Sequence, residues 1–466
     1  MVGGGISGLS VAWPLSQAGV SLELWDAGTK AGGKIASTRD QGYLTEKSAS
    51  LLLNFKPEIN KLIRQAGLEQ AKTKGRKQTN SRRYVIHNRQ LHTLPLNPLA
   101  LLLSPLWSWR TKLRLATEIV VPRGNYDGES AADFITRRLG REMLEKGIDP
   151  FIAGTLSSDA HQADASQCLP RLTELERRFG SITAGIIVHR ILRRRKAAVS
   201  ELFSFQGGMA ELVNTLADEP GIQLRNGYTV CGIEPYQNGW QVTADSVYGD
   251  KSLRCRHLVL ATPAPNTSAL LTGLDSELSG LVRGIDYSSL AVVHMGLDQT
   301  EVQHPLDGTG FLTPKQAGLS FNGNLWMSSL FPNRAPQGKV LLTSYAGGYR
   351  KPELFDLDDE PLSQRLWSDL QPLLGLKGAP GYLRVDRHQQ ALPLYHGNYS
   401  ARMAAVSNRL KKLQGLHLCA NYRFGVSVRD RIYQGLSTAE AIVEAQRHAT
   451  SYFHHQRAVA QVDIHV

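Results

Sequence analysis

The hydrophobic positions of this chain fall into short runs punctuated by glycines, and their order predicts an alternating α/β start. Met1-Val2 leads into three glycines and then an apolar stretch of helix length; a second apolar run, Val20 to Trp25, ends at Asp26. That pattern reads as strand, tight turn, helix and second strand. After Ala31-Gly32-Gly33-Lys34 the residues alternate up to Gly42-Tyr43-Leu44-Thr45-Glu46. Residues 93–121 carry apolar clusters with Trp107 and Trp109 beside Arg110, Lys112 and Arg114, a composition that suits an interfacial position or a buried helix pair with a basic outer face. Near the end, Leu416 to Tyr422 predicts a short strand entering a turn at Gly425, with a helix from Gly435 or Leu436 through Ala445.

Two features of the start are irregular. Only Met1 and Val2 precede the first glycine, whereas strands usually run about five residues, so the spacing predicts a strand whose beginning lies upstream. Pro14 falls inside the expected helix, where a missing N–H predicts a kink.

Composition narrows the class. With 466 residues, 42% hydrophobic and 20% charged, the chain is long enough for two or three domains and is folded nearly throughout. Lys and Arg outnumber Asp and Glu by 53 to 41, a formal charge of +12, which favours nucleic acid, an anionic membrane surface or an acidic small molecule. The densest basic run, Arg193-Arg194-Arg195-Lys196 with Arg190 before it, lies on a helix-like stretch without interleaved aromatics. It reads as a solvated helix face or a surface attracting membrane or carboxylates, and nucleic acid is not expected. The four cysteines (Cys168, Cys231, Cys255, Cys419) form no CxxC pair, and no histidine cluster has metal spacing; a disulfide framework and a zinc site are not expected, and a reducing, cytoplasmic compartment fits. No apolar stretch reaches about twenty residues, so no spanning helix is expected.

The chemistry begins with GxGxxG at Gly3, Gly5 and Gly8. The first glycine allows the tight turn, the second lets a diphosphate approach the backbone, and the third lets helix and strand pack closely. The diphosphate then sits on the helix N-terminus, at Ile6 and Ser7. Asp26, eighteen residues beyond Gly8, stands where such a fold places the acid that bonds the ribose hydroxyls, with Ala27 next to it. The second glycine pair, Gly32-Gly33 with Lys34, suits a backbone wrapped around a longer cofactor and favours FAD over NAD; an ordinary hairpin turn is the plainer reading.

Together GGGISGL, Asp26 and AGGK resemble the FAD-dependent amine oxidase and protoporphyrinogen oxidase superfamily. Further segments resemble the protoporphyrinogen oxidases in particular: Leu94-Pro95 through Pro105, Glu129-Ser130-Ala131-Ala132-Asp133-Phe134, Asp149-Pro150-Phe151-Ile152-Ala153-Gly154, Phe205-Gln206-Gly207-Gly208-Met209 and Leu258 through Pro263. The most telling are Gly310-Phe311-Leu312 and Ser328 through Pro336.

The resemblance implies an α/β architecture: a Rossmann-like FAD-binding domain built from 1–75, 200–278 and 405–466, an α+β substrate domain from 76–92 and 279–404, and a helical, membrane-facing domain over 93–199. It adds Thr262, Asn421, Gly425 and Val426 as cofactor contacts. It implies six-electron oxidation of protoporphyrinogen IX in haem biosynthesis, with dioxygen or a respiratory acceptor, peripheral contact with the inner face of the membrane, and a homodimer as a further possibility. The alternatives are coproporphyrinogen III oxidation, another FAD-dependent amine oxidase or desaturase, and a degenerate paralogue that binds porphyrin. No side-chain nucleophile is needed.

The chain departs from the family at Ser48 and Ala49 after Glu46, at His388, at Leu394, at Gly397-Asn398 and at Arg423-Phe424. His388 reads as a packed imidazole or a group beside the flavin. Arg423 reads as a partner for a substrate carboxylate or cofactor phosphate, or as a solvent-facing turn residue.

Overall fold

The computed structural model describes residues 1–95, 98–124, 128–192 and 201–462, with the backbone alone at 98–99, 102, 190–192 and 449–462. The basic run 193–196 lies outside the described residues.

A parallel layer is assembled from distant parts of the sequence. Ile222–Asn226 pairs with Leu22–Asp26, and Leu258–Leu260 pairs with Leu416–Leu418, all in parallel. Val2 joins the two pairs, bridging Trp25 on one side and Leu260 on the other. Around it, Trp25 donates to the Met1 carbonyl at 3.0 Å and Gly3 donates to the Trp25 carbonyl at 2.8 Å. The short start thus supplies the middle of the sheet. Helix Ile6–Gln17 covers this layer through Leu9, Val11, Ala12 and Leu15, packed with Leu212, Val213 and Leu216 of helix Ala210–Ala217.

Helix Ile6–Gln17 continues through Pro14 rather than ending there. The C-terminal helix also begins earlier than its sequence pattern indicated, at Val428, and extends to Val462.

A seven-stranded sheet forms a second body, in the order Tyr382–Pro393, Tyr287–Asp298, Lys339–Gly347, Gly323–Trp326, Gly310–Leu312, Tyr84–His87 and Gln90–Thr93. Strand alternation gives it two unlike faces. Val293, Met295 and Leu342 face Leu362, Leu366, Leu370 and Leu374 of helix Asp359–Leu374 in a dry core. The opposite face carries His294, Thr343, Tyr345, Asp386 and His388, and meets the glycine-rich segments: Tyr345 Oη lies 3.0 Å from Ser50 Oγ, and His388 Nε2 lies 2.8 Å from the Lys47 carbonyl.

Between Pro98 and Leu192 the named elements among the described residues are all helices, including a π turn at Leu144–Ile148. Buried charges tie these helices together: Arg138 meets Glu176 at 2.6 Å and Glu118 at 3.3 Å, all three side chains fully buried. Glu118 also accepts from the Ile182 and Thr183 N–H groups at 3.0 and 2.9 Å, capping helix Ile182–Leu192 from a distance. The two tryptophans of 93–121 divide: Trp107 is core, whereas Trp109 is exposed together with Leu103, Leu113, Ile119 and Val120. Among the described residues no helix is long and apolar enough to cross a membrane.

Candidate cofactor-binding site

The three glycines of the opening motif stand in three different settings. Gly3 has φ +101°, a region side chains rarely adopt, and a Cβ there would lie 3.0 Å from the Ala261 carbonyl. A Cβ on Gly8 would lie 2.0 Å from the Gly3 oxygen, so helix and turn touch. Gly5 has ordinary extended backbone, φ −74° and ψ 178°, and a Cβ there would meet only Gly33 Cα at 3.9 Å. Nothing in the protein demands a glycine at position 5. The bare backbone there leaves open space beside the helix end.

That backbone opens onto a helix end. Helix Ile6–Gln17 has no side-chain cap, and its first internal bond runs from Leu9 N–H to the Gly5 carbonyl at 3.0 Å. The N–H groups of Ile6, Ser7 and Gly8 precede it, the arrangement that receives a phosphate. Gly32 N–H bonds the Gly4 carbonyl at 2.8 Å, and Gly33, at φ +60°, approaches so closely that a Cβ on it would lie 3.2 Å from Gly5 Cα. The two glycine segments, 24 or more residues apart, therefore form one cradle. Its bare glycine backbone and uncapped helix N-terminus fit the diphosphate of a dinucleotide.

Asp26 braces the cradle from the strand end. Its Oδ2 accepts from Gly4 N–H at 2.6 Å and its Oδ1 from Gly28 N–H at 2.8 Å, and each oxygen keeps a lone pair for a further donor. Ala27 beside it is exposed. Thr262 follows the Ala261 that contacts Gly3, and its hydroxyl pairs with Thr267 at 2.8 Å.

The C-terminal turn comes to the same place. Cys419 Sγ lies 3.9 Å from the Ser7 carbonyl, and Asn421 Oδ1 accepts from Tyr287 Oη at 3.1 Å. Gly425 has φ +102°, and a Cβ there would lie 2.6 Å from Asp430 Oδ2; Val426 is half-buried. Arg431, from the first turn of the last helix, is fully buried and holds the Ala420 and Arg423 carbonyls.

Arg423 itself is not a solvent-facing residue. It is buried, with Nη1 donating to the Leu418 carbonyl at 3.2 Å and Nη2 to Ser407 Oγ at 3.1 Å, so its guanidinium is engaged in holding the turn. Phe424 is the exposed member of the pair. His388 is packed as well, hydrogen-bonded to the Lys47 carbonyl, and burial lowers its pKa below the ordinary histidine value.

Lys34 leaves the cradle and reaches the seven-stranded sheet. Its Nζ donates to the Ala391 carbonyl at 2.9 Å and to the Gln390 carbonyl, and lies 5.6 Å from the centre of the Tyr287 ring. Burial alone lowers its pKa to about 8.

Sequence reasoning passed over one pair. Glu46 and Arg334, both 1% exposed, form an ion pair at 2.8 Å. Glu46 also accepts from Ser37 Oγ at 2.5 Å and Met209 N–H at 3.0 Å, while Arg334 donates to Ser204 Oγ at 2.6 Å. Both residues stood in quoted motifs, but 288 positions of separation gave no sign that they meet.

A family model for flavin-containing amine oxidoreductases matches residues 6–443. The chain belongs to that family. Membership makes it an FAD-dependent oxidoreductase, and the expected cofactor agrees with the cradle around Gly5. Among curated relatives of this family member, the mitochondrial protoporphyrinogen oxidase of Nicotiana tabacum is 28% identical over 475 residues, covering 95% of this chain and 94% of the relative. The coproporphyrinogen III oxidase of Bacillus subtilis (strain 168) is 24% identical over 457 residues, covering 93% and 95%. Among solved structures, one from Exiguobacterium sp. 255-15, named as a candidate protoporphyrinogen oxidase, matches with TM-score 0.78 at 22% identity over 95% of this chain and 97% of its own. A putrescine oxidase with putrescine bound matches with TM-score 0.69 at 15% identity over 95% and 98%. These structures share the mixed α/β fold.

Proposed function

We propose that this chain oxidises a porphyrinogen, with protoporphyrinogen IX as the substrate and dioxygen as the terminal acceptor. The observation that carries the reading is similarity along nearly the whole chain to enzymes named for porphyrinogen oxidation. Coproporphyrinogen III is the second reading, favoured by the Bacillus subtilis relative, whose coverage equals that of the plant enzyme within a few per cent.

Bound FAD supplies the two-electron acceptor, which is why the chain needs no nucleophile of its own. The remaining work falls to the protein. The N–H groups of Ile6, Ser7 and Gly8 bind the diphosphate; Gly3, Gly5, Gly32 and Gly33 let it approach; Asp26 and Ala27 border the ribose. Thr262, Asn421, Gly425 and Val426 close the opposite side.

A porphyrinogen also brings carboxylates, and Arg83 is the cation we assign to them. Strand alternation puts it on the Val85 side of Tyr84–His87, the side that packs with Leu106 and Trp107 of the helical segment. Among the described residues its guanidinium has no hydrogen-bond or ion-pair partner, and burial lowers its pKa. A half-buried arginine lacking an anion is suited to receive one.

The division into FAD-binding (1–75, 200–278, 405–466), substrate-binding (76–92, 279–404) and helical (93–199) domains belongs to this reading. So does peripheral membrane contact, supported by the exposed Leu103, Trp109, Leu113, Ile119 and Val120 near Arg110 and Lys112.

The test is aerobic incubation of purified yellow protein with protoporphyrinogen IX and, separately, coproporphyrinogen III, following porphyrin fluorescence. Faster appearance of protoporphyrin supports the first reading and faster coproporphyrin the second. No acceleration over the protein-free control with either defeats both, leaving amine oxidation, desaturation or porphyrin binding without turnover.

A further inference from the structure

Lys34 is a cation at a three-way junction with no carboxylate partner among the described residues. The residue before it, Gly33, lies against Gly5 in the cradle. Its own ammonium is held by the Gln390 and Ala391 carbonyls at the end of the strand Tyr382–Pro393. The face of Tyr287 lies beside it, and Tyr287 Oη is fixed by donating to Asn421 Oδ1 and accepting from Ala264 N–H, both at 3.1 Å. The backbone carbonyl of Lys34 accepts from Ser48 Oγ at 2.6 Å, so the residue is anchored at both ends.

The direction of this side chain matters. Asp26 marks the adenosine end of a dinucleotide and the Gly5–Gly33 contact marks the diphosphate. Lys34 runs from that contact away from Asp26 toward the substrate-side sheet, the side on which the flavin of FAD must continue. The surrounding groups do not neutralise it: His388 is packed through its own bond to the Lys47 carbonyl, Lys47 is a second cation, and Tyr287 offers only its ring. Two carbonyl dipoles orient the ammonium while leaving its charge intact.

We propose that Lys34 is a positioning residue whose ammonium tunes the flavin, favouring its electron-rich, reduced form. The inference rests on the FAD reading above. Reduction adds negative charge to the flavin ring, so a fixed cation in a partly dry site shifts that equilibrium more than it would in water. The half-buried position that lowers the lysine pKa to about 8 is the same feature that makes its charge effective.

The experiment compares holoprotein of the wild type, Lys34→Met and Lys34→Arg by sulfite titration and by spectroelectrochemical potential. Sulfite adds reversibly to flavins, leaves the ring negatively charged and bleaches the visible band, so its affinity reports charge stabilisation without turnover. Lys34→Met is expected to keep its visible flavin band, bind sulfite at least tenfold more weakly, and show a two-electron potential about 30 mV lower, the equivalent of that tenfold change. Lys34→Arg, which keeps the charge, is expected to stay within about threefold of wild type.

Wild-type sulfite affinity and potential in Lys34→Met would overturn the proposal. Should Lys34→Met lose its flavin on purification, it is reconstituted with excess FAD, and wild-type sulfite affinity and potential in the reconstituted variant would overturn the proposal equally. A wild-type protein without flavin absorbance would sink the FAD reading itself.

Discussion

Gly435 of the last helix crosses the first helix at Ser10, so closely that a Cβ on Gly435 would lie 2.5 Å from Ser10 Cβ and 2.8 Å from the Ser10 carbonyl oxygen. Pro14 stands four residues beyond Ser10 and has no N–H to offer that carbonyl. The proline and the glycine therefore mark one crossing, where the second helix lies over a carbonyl that the first leaves without its helical donor. Gly435→Ala is expected to destabilise the fold by about 1–3 kcal/mol through overpacking, seen as a lower midpoint in urea unfolding. An unchanged midpoint would show that the helices separate without cost.

Gly5→Val addresses the cradle. Because Gly5 has ordinary backbone and open space within the protein, the substitution leaves the fold intact and blocks the ligand. Far-ultraviolet circular dichroism is expected to match wild type, while FAD affinity falls about a hundredfold or more, roughly 2.8 kcal/mol. Stoichiometric flavin in the purified variant would contradict the assignment of this loop.

Arg334→Ala leaves Glu46 buried without its cation. Glu46 would still hold Ser37 and Met209, but an uncompensated buried carboxylate costs about 3–5 kcal/mol. Thermal unfolding of the apoprotein is the measurement, and a loss below about 1 kcal/mol would mean that water reaches the pair.

Arg83→Ala tests the carboxylate contact. Losing a hydrogen bond to a charged group costs about 1.5–3 kcal/mol, so KM for the porphyrinogen is expected to rise about tenfold or more with flavin content unchanged. Equal KM values would remove Arg83 from the substrate cleft.

Acid sensitivity has an identifiable source in His294. Burial depresses its pKa from 6.5 to about 4, and its Nδ1 pairs with Thr343 Oγ1 at 2.9 Å. The unfolded chain binds this proton near pH 6.5 and the folded one only near 4, so stability is fully present above 6.5 and declines as pH falls through that window. The linkage is worth about 3 kcal/mol. His294→Gln is expected to flatten the pH dependence between 6.5 and 4; an identical slope would place the effect elsewhere.

The sequence by itself determined the glycine cradle in outline. GxGxxG, the acid at Asp26 and the second glycine pair are local features, fixed by what a tight turn and a helix end require, and the residues involved lie within 34 positions of the start. The long-range relationships needed the tertiary structure. Val2 completes a sheet because Trp25 and Leu260 reach it from both sides; Arg423 turns inward because Leu418 and Ser407 offer acceptors there. Lys34 meets Gln390 and Ala391 across 356 and 357 positions. Periodicity and turn chemistry act over a few residues, whereas burial and the pairing of charges depend on which distant segments share a space, and only the folded chain decides that.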